Sequence, residues 1–201
     1  MSRSPGPPEL LALALGDPPE RWRALGFALA GDRLFLGGVG VRLGAPGQGI
    51  AGWRVAGIER EVDGLASIEP LPPPSGPGEH PNGALGIDHL VVLTPDFGRT
   101  STALEAAAIP LRRVVRRPDG ARMGFRRLGP AILELVEAAD APAGPARFWG
   151  IAVAVADLDA LAGRLGAHLG AIAPALQPGR RIATLRRSAG LGQPVAFIEP
   201  G

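Results

Sequence analysis

Residues 87–96 read IDHLVVLTPD, and residues 148–157 read FWGIAVAVAD. Each is an apolar run that ends at an aspartate, Asp96 or Asp157, and gives way to a helical pattern. An aspartate at that point can accept the unpaired N–H groups of a first helical turn. In the second helix Leu158, Leu161, Leu165 and Leu169 fall on one stripe, and Phe97, Leu104 and Ala108 do so more sparsely in the first. Strand patterns follow each helix. ARMGFRRLG (121–129) corresponds to RIATLRRSAG (181–190), and AILELVE (131–137) to PVAFIEP (194–200). The spacing agrees: 45 residues separate His89 from Glu134, and 46 separate the matching Gly150 from Ala196. This internal repeat predicts an α+β fold of two βαβββ units, over residues 84–140 and 147–201.

Upstream, residues 69–83 read EPLPPPSGPGEHPNG, a Pro- and Gly-rich stretch without apolar periodicity that reads as a linker. It sets residues 1–68 apart from 84–201. Within 1–68, PPERWRAL (18–25) reads as a short helix, and RLFLGGVGVRL (33–43) and GIAGWRVAGI (49–58) as strands with glycine turns. The region is expected to be a mostly β, incomplete unit. GLASIEP (64–70) echoes PVAFIEP, though the echo is short.

Composition narrows the function classes. Hydrophobic residues make up 46% of the chain and charged residues 20%, as in an ordinary globular protein. The pI of about 10.7 overstates the positive charge, which is only +2. All 21 basic residues are arginine, and with no Lys, Tyr or Cys little titrates between neutral pH and the arginine range. That is not the dense basic face of a nucleic-acid binder. The absence of cysteine excludes disulfides, thiolate catalysis and cysteine-ligated metals, and fits a reducing cytoplasm. No apolar run reaches the roughly 18 residues of a membrane span. Leu10–Leu15 is too short for a signal-peptide core. GGVGVRLG (37–44) lacks the lysine and spacing of a phosphate-binding loop, and no His is arranged with a Ser nucleophile.

The order IDHLVVLTPD, AILELVE, FWGIAVAVADLDAL, PVAFIEP resembles the vicinal-oxygen-chelate superfamily, which includes glyoxalases, bleomycin-resistance proteins and extradiol dioxygenases. The resemblance covers about residues 84–200 and rests on pattern and order. It implies a cavity between paired units, and in metal-dependent members one ligand on the first and last strand of each unit. Carried over by position, those places are His89, Glu134, Gly150 and Ala196. Two of the four have no donor atom. Two protein ligands make a poor divalent site, so no resident metal is expected. His80 and His168 are the remaining histidines that could add a ligand.

Strand parity makes the site more specific. Ile87, His89, Val91 and Leu93 should share one face of the first strand, and Ile132, Glu134 and Val136 one face of the last. Glu199, three residues beyond Ala196, should point away from them. On the second unit's first strand Gly150, Ala152 and Ala154 form a small-residue face, and Trp149, Ile151, Val153 and Val155 a bulky one suited to packing on the leucine stripe. The small face, with Ala196 across the sheet, leaves volume for a ligand or for packing by the N-terminal region. One arginine from each of the pairs Arg126–Arg127 and Arg186–Arg187 should face the cavity, where it could clamp an anion, or else lie on a solvated edge. Arg112, Arg113, Arg116 and Arg117 read as a solvated run.

Three function classes follow. The first is binding of a small organic molecule between the units without a complete metal site. The second is a lyase, isomerase or dioxygenase rebuilt around His89 and Glu134. The third is a scaffold that keeps the fold, with His89 and Glu134 bonded as a structural pair. The first is favoured, because the incomplete ligand set argues against the usual chemistry. The expected partner is a small molecule, not nucleic acid or membrane, and the expected state is a monomer or homodimer.

Overall fold

A computed structural model describes residues 6–72, 78–138 and 141–200. In chain order the elements are β1 (Leu10–Leu15), α1 (Pro19–Ala24), β2 (Arg33–Leu36), β3 (Val39–Arg42), β4 (Ile50–Val55), β5 (Ala84–Thr94), α2 (Phe97–Ala106), β6 (Arg113–Arg116) and β7 (Arg122–Leu128). They continue with β8 (Ala131–Glu137), β9 (Arg147–Val155), α3 (Leu158–Leu165), β10 (Ala173–Pro174), β11 (Arg181–Thr184) and β12 (Val195–Ile198). Among the described residues they form two sheets, ordered β2-β3-β1-β4 and β10-β11-β12-β9-β5-β8-β7-β6.

The larger sheet is the expected pair of βαβββ units. In each, the first and last strands run side by side in parallel: β5 with β8, and β9 with β12. The units join through the antiparallel β5–β9 pair, so the strand order mirrors about that seam. Both helices start where the aspartates predict. Asp96 accepts from the Arg99 N–H at 2.9 Å and Asp157 from the Ala160 N–H at 2.8 Å. Such caps are typically worth about 1 kcal/mol each. Glu199 lies on the outer side, as its parity requires, and accepts the Leu158 N–H at the start of α3. The α3 stripe buries Leu158, Leu161, Leu165 and Leu169 as expected. In α2 the pattern fails at its end. The helix stops at Ala106, Ala108 takes a positive φ of 61°, and Ile109 is buried in its place.

Two β-bulges alter the expected parity. Ile87 pairs with Val153 but His89 with Ala152, so Asp88 is an extra residue, and Ile87 and His89 point to opposite faces. Val91 pairs with Gly150 but Val92 with Phe148, so Trp149 is extra on β9. Trp149 thereby leaves the bulky face assigned to it and stands 44% exposed.

The N-terminal region is closer to a second, abbreviated pair than to one unit. β1 lies parallel to β3 and antiparallel to β4, as β5 lies parallel to β8 and antiparallel to β9. Ser67 bridges Trp53 in parallel, as Phe197 pairs with Val153, so the GLASIEP–PVAFIEP echo has a structural counterpart. The register shifts at the same place in both, between Leu10 and Ala12 opposite Val55–Arg54 and between Ala84 and Gly86 opposite Val155–Ala154. LLALAL, which the sequence reading did not take as a strand, is interior to the smaller sheet.

This region packs on the outer face of the large sheet. Phe27 stacks on Phe197 (centroids 6.3 Å apart), and Trp53 meets Phe148 edge to face at 5.4 Å. Phe148 and Phe197 pair with Val92 and Val153, on the face opposite His89 and Ala152. At the contact of the β2–β3 turn with β5, a Cβ on Gly37 would lie 2.9 Å from the Gly86 Cα, so only glycine lets the backbones approach. Buried Asp17 ties the two regions, accepting from Trp22 Nε1, the Gly192 N–H and Gln193 Nε2. Of the expected linker, residues 73–77 lie outside the described residues. Its end is packed rather than free: Asn82 donates to the Leu25 carbonyl, and His80 bridges Ala28 and Phe35.

Candidate functional site

With the N-terminal region on the outer face, the inner face of the large sheet is left as an open cleft of about 500 Å³. Its floor carries His89, Glu134, Ala152 and Ala196, and its walls include Val91, Met123, Phe125, Trp149 and Ile198. The pairings explain the grouping. His89 lies beside Ala152, Ala152 beside Ala196, and Phe125 beside Glu134, and residues directly opposite in neighbouring strands share a face. The cleft therefore brings together four of the residues chosen from sequence.

His89 is 5% exposed, and its hydrogen-bond partner is Asp88, not Glu134. The Asp88 carboxylate accepts from Nδ1, which leaves Nε2 as the nitrogen available to the cleft. Arg180 clamps the same carboxylate with both terminal nitrogens, at 2.6 and 3.3 Å, while its Nε donates to the Glu199 carbonyl at 2.8 Å. Burial disfavours the charged form of Asp88. Hydrogen bonds from His89 and Arg180 and their charges outweigh it, and hold the carboxyl down at about 2. Glu134 behaves oppositely. Desolvation raises its pKa, and the charges of His89 and Arg117 only partly offset that. The cleft thus holds a carboxyl biased toward its protonated form beside an imidazole anchored from behind.

The remaining candidates fall elsewhere. Arg126 pairs with Leu133 on the outer face, and its Nε is buried without a partner among the described residues. Arg127 is exposed and donates to the Gly129 carbonyl. Arg186 and Arg187 are not on a strand: β11 ends at Thr184, and residues 187–189 form a 3-10 turn closed by Gly190 at φ 81°. None of the four lines the cleft; Arg117, assigned to the solvated run, does. Gly150 does not mark open volume. A Cβ there would lie 2.5 Å from the Pro194 carbonyl oxygen, so the glycine serves a close approach of β9 to β12. Asp88, Arg180, Arg117 and Trp149 escaped the sequence reading. The available signal was Asp88 itself, a charged residue inside an otherwise apolar strand, where a bulge is one of few ways to place it.

The residues present do not fit the divalent metal that the resemblance implies. Among the described residues no three His, Asp or Glu side chains gather at metal-binding reach. Gly150 and Ala196 offer no donor, and Nδ1 of His89 is committed to Asp88. His80 is saturated, accepting from the Ala28 N–H through Nδ1 and bonding the Phe35 carbonyl through Nε2. His168 is exposed in a 3-10 turn away from the cleft. Among the described residues no helix is long and apolar enough to cross a membrane.

No family model and no curated protein matches the chain. Solved structures do. Methylmalonyl-CoA epimerase from Mycobacterium tuberculosis is similar over 59% of this chain and 90% of its own, at 20% identity and a TM-score of 0.49. A hypothetical protein from Bacillus halodurans is similar over 57% of this chain and 94% of its own, at 18% identity and 0.47. A Streptomyces coelicolor methylmalonyl-CoA epimerase variant in complex with 2-nitronate-propionyl-CoA is similar over 57% and 96%, at 20% identity and 0.46. On its own strand order, with two βαβββ units mirrored about the β5–β9 seam, the chain has the paired fold of the vicinal-oxygen-chelate superfamily.

Proposed function

We propose that the protein binds a small organic molecule in the inner cleft without a resident metal. The ligand's apolar body lies against Val91, Phe125, Ala152 and Ala196, and its polar end meets His89 and Glu134. The observation that carries this reading is the composition of the cleft. About 500 Å³ of mostly apolar space converges on two polar side chains at its floor, the usual make-up of a small-molecule site. A thermal-shift screen of small metabolites, each run with chelator and with added divalent metal, tests it. A ligand present at 100 times its Kd should add about 2.7 kcal/mol of stability with chelator present. Stabilisation that needs the metal would defeat the reading.

A second reading, an isomerase or lyase that moves a proton, is favoured by one specific observation: Asp88 holds Nδ1 of His89 and turns Nε2 toward the cleft. A base oriented by a carboxylate, beside a carboxyl whose pKa burial raises, is a pairing that can remove and return a proton on a bound ligand. Exchange of a ligand C–H in deuterated water, lost in His89→Ala, separates this reading from binding alone.

A further inference from the structure

Trp149 separates two cavities. On one side is the cleft; on the other is a groove of about 690 Å³ between the loop before β4 and the last strands of the second unit. Thr184 and Pro194 also belong to both walls, so the two spaces adjoin at one exposed indole. The groove is electrostatically one-sided. Arg147, Arg186 and Arg187 line it, and no aspartate or glutamate does. Seven arginines elsewhere are ion-paired, among them Arg99 with Asp63, Arg122 with Glu137, Arg180 with Asp88, and Arg181 with Asp159 and Glu199. Among the described residues, none of the three groove arginines forms an ion pair. Arg186 spends only its Nε, on the Leu169 carbonyl. At the groove floor Gln193 is 5% exposed, with its Nε2 fixed on Asp17 and its Oε1 buried without a partner.

We infer that the ligand is bipartite, with an apolar body in the cleft, a flat segment over Trp149 and an anionic group (phosphate, sulfonate or carboxylate) held by Arg147, Arg186 and Arg187. This inference rests on the cleft being the binding site. Guanidinium groups suit such an anion because their fork of donors matches its oxygens. The two spaces meet at Trp149, as a single molecule reaching both requires.

The test uses two fluorescent probes on the full chain: anilinonaphthalene sulfonate, and phenylnaphthylamine, which has a like body without the charge. The sulfonate should bind about tenfold more tightly than the neutral dye, the effect of one well-made charged contact. The double variant R147Q/R187Q, both exposed positions, should remove that advantage and leave the neutral dye unchanged. Raising salt from about 50 to about 500 mM on the wild-type protein should do the same, and needs no variant to fold. Ala196→Leu should weaken both dyes. If R147Q/R187Q and salt leave the sulfonate advantage intact while Ala196→Leu weakens both dyes, the cleft stands and the bipartite inference is overturned. If Ala196→Leu weakens only the neutral dye, the groove is a separate site and the inference is again overturned. If Ala196→Leu affects neither dye, it is the cleft reading that fails.

Discussion

The carboxylate of Asp88 accepts a hydrogen bond from Nδ1 of His89, its neighbour in sequence, because the bulge between Ile87 and His89 carries the two side chains out of strict alternation. In a regular strand, adjacent residues point to opposite faces and could not bond this way. The bulge therefore sets Asp88 beside His89, which faces the cleft with Val91 and Leu93, and supplies its anchor. Arg180 completes the arrangement from the far end of the sheet.

That anchor has a pH signature. The folded Asp88 pKa, about 2, lies below its unfolded value of about 3.9. The stability it contributes is present above the unfolded pKa and is lost as pH falls through the folded one. The stability of wild type minus that of Asp88→Asn should therefore shrink by about 1–2 kcal/mol between about pH 5 and about pH 2. Urea denaturation of the two proteins along that range checks it. A difference that stays constant would show that Asp88 is not held as described.

Glu134 predicts the opposite sign. Its folded pKa is raised by burial, so ionising it costs stability as pH rises above the unfolded value of about 4.3. Glu134→Gln should match wild type near pH 4 and be the more stable of the two near pH 8, read as a higher Tm. A destabilised Gln variant at pH 8 would mean that the carboxylate is paired in the fold.

Gly150 separates two accounts of the small residues on β9. If the glycine left open volume, Gly150→Ala would be neutral. With a Cβ 2.5 Å from the Pro194 carbonyl oxygen, backbone must move, and the variant should lose about 1–3 kcal/mol of stability. Calorimetry decides between them.

Much of the fold was legible, and the reasons are local. Strand runs, aspartate caps and the leucine stripe of α3 are set by near neighbours, and the βαβββ repeat multiplies that signal. The site was half legible. His89, Glu134, Ala152 and Ala196 follow from parity within regular segments. Parity failed at Asp88 and Trp149, because a bulge is settled by the facing strand and leaves no periodic trace. Arg186 and Arg187 were misplaced because β11 ends at Thr184, four residues short of the position that matches the end of β7, where the chain turns to meet the N-terminal region: Gly192 and Gln193 bond Asp17, and Arg21 reaches the Gly190 carbonyl. Arg117 was set aside because its neighbours in sequence are solvated.

The central claim is that the inner face is a ligand cleft and not unfilled core. Titrating phenylnaphthylamine into chelator-treated wild type and Ala196→Leu tests it most directly, with a thermal melt of each protein alongside. The account predicts saturable binding to wild type, a loss of at least about tenfold in Ala196→Leu, or about 1.4 kcal/mol, and a cooperative melt in both. Equal affinity in the two proteins, or a variant that keeps its affinity while losing its cooperative fold, would contradict it.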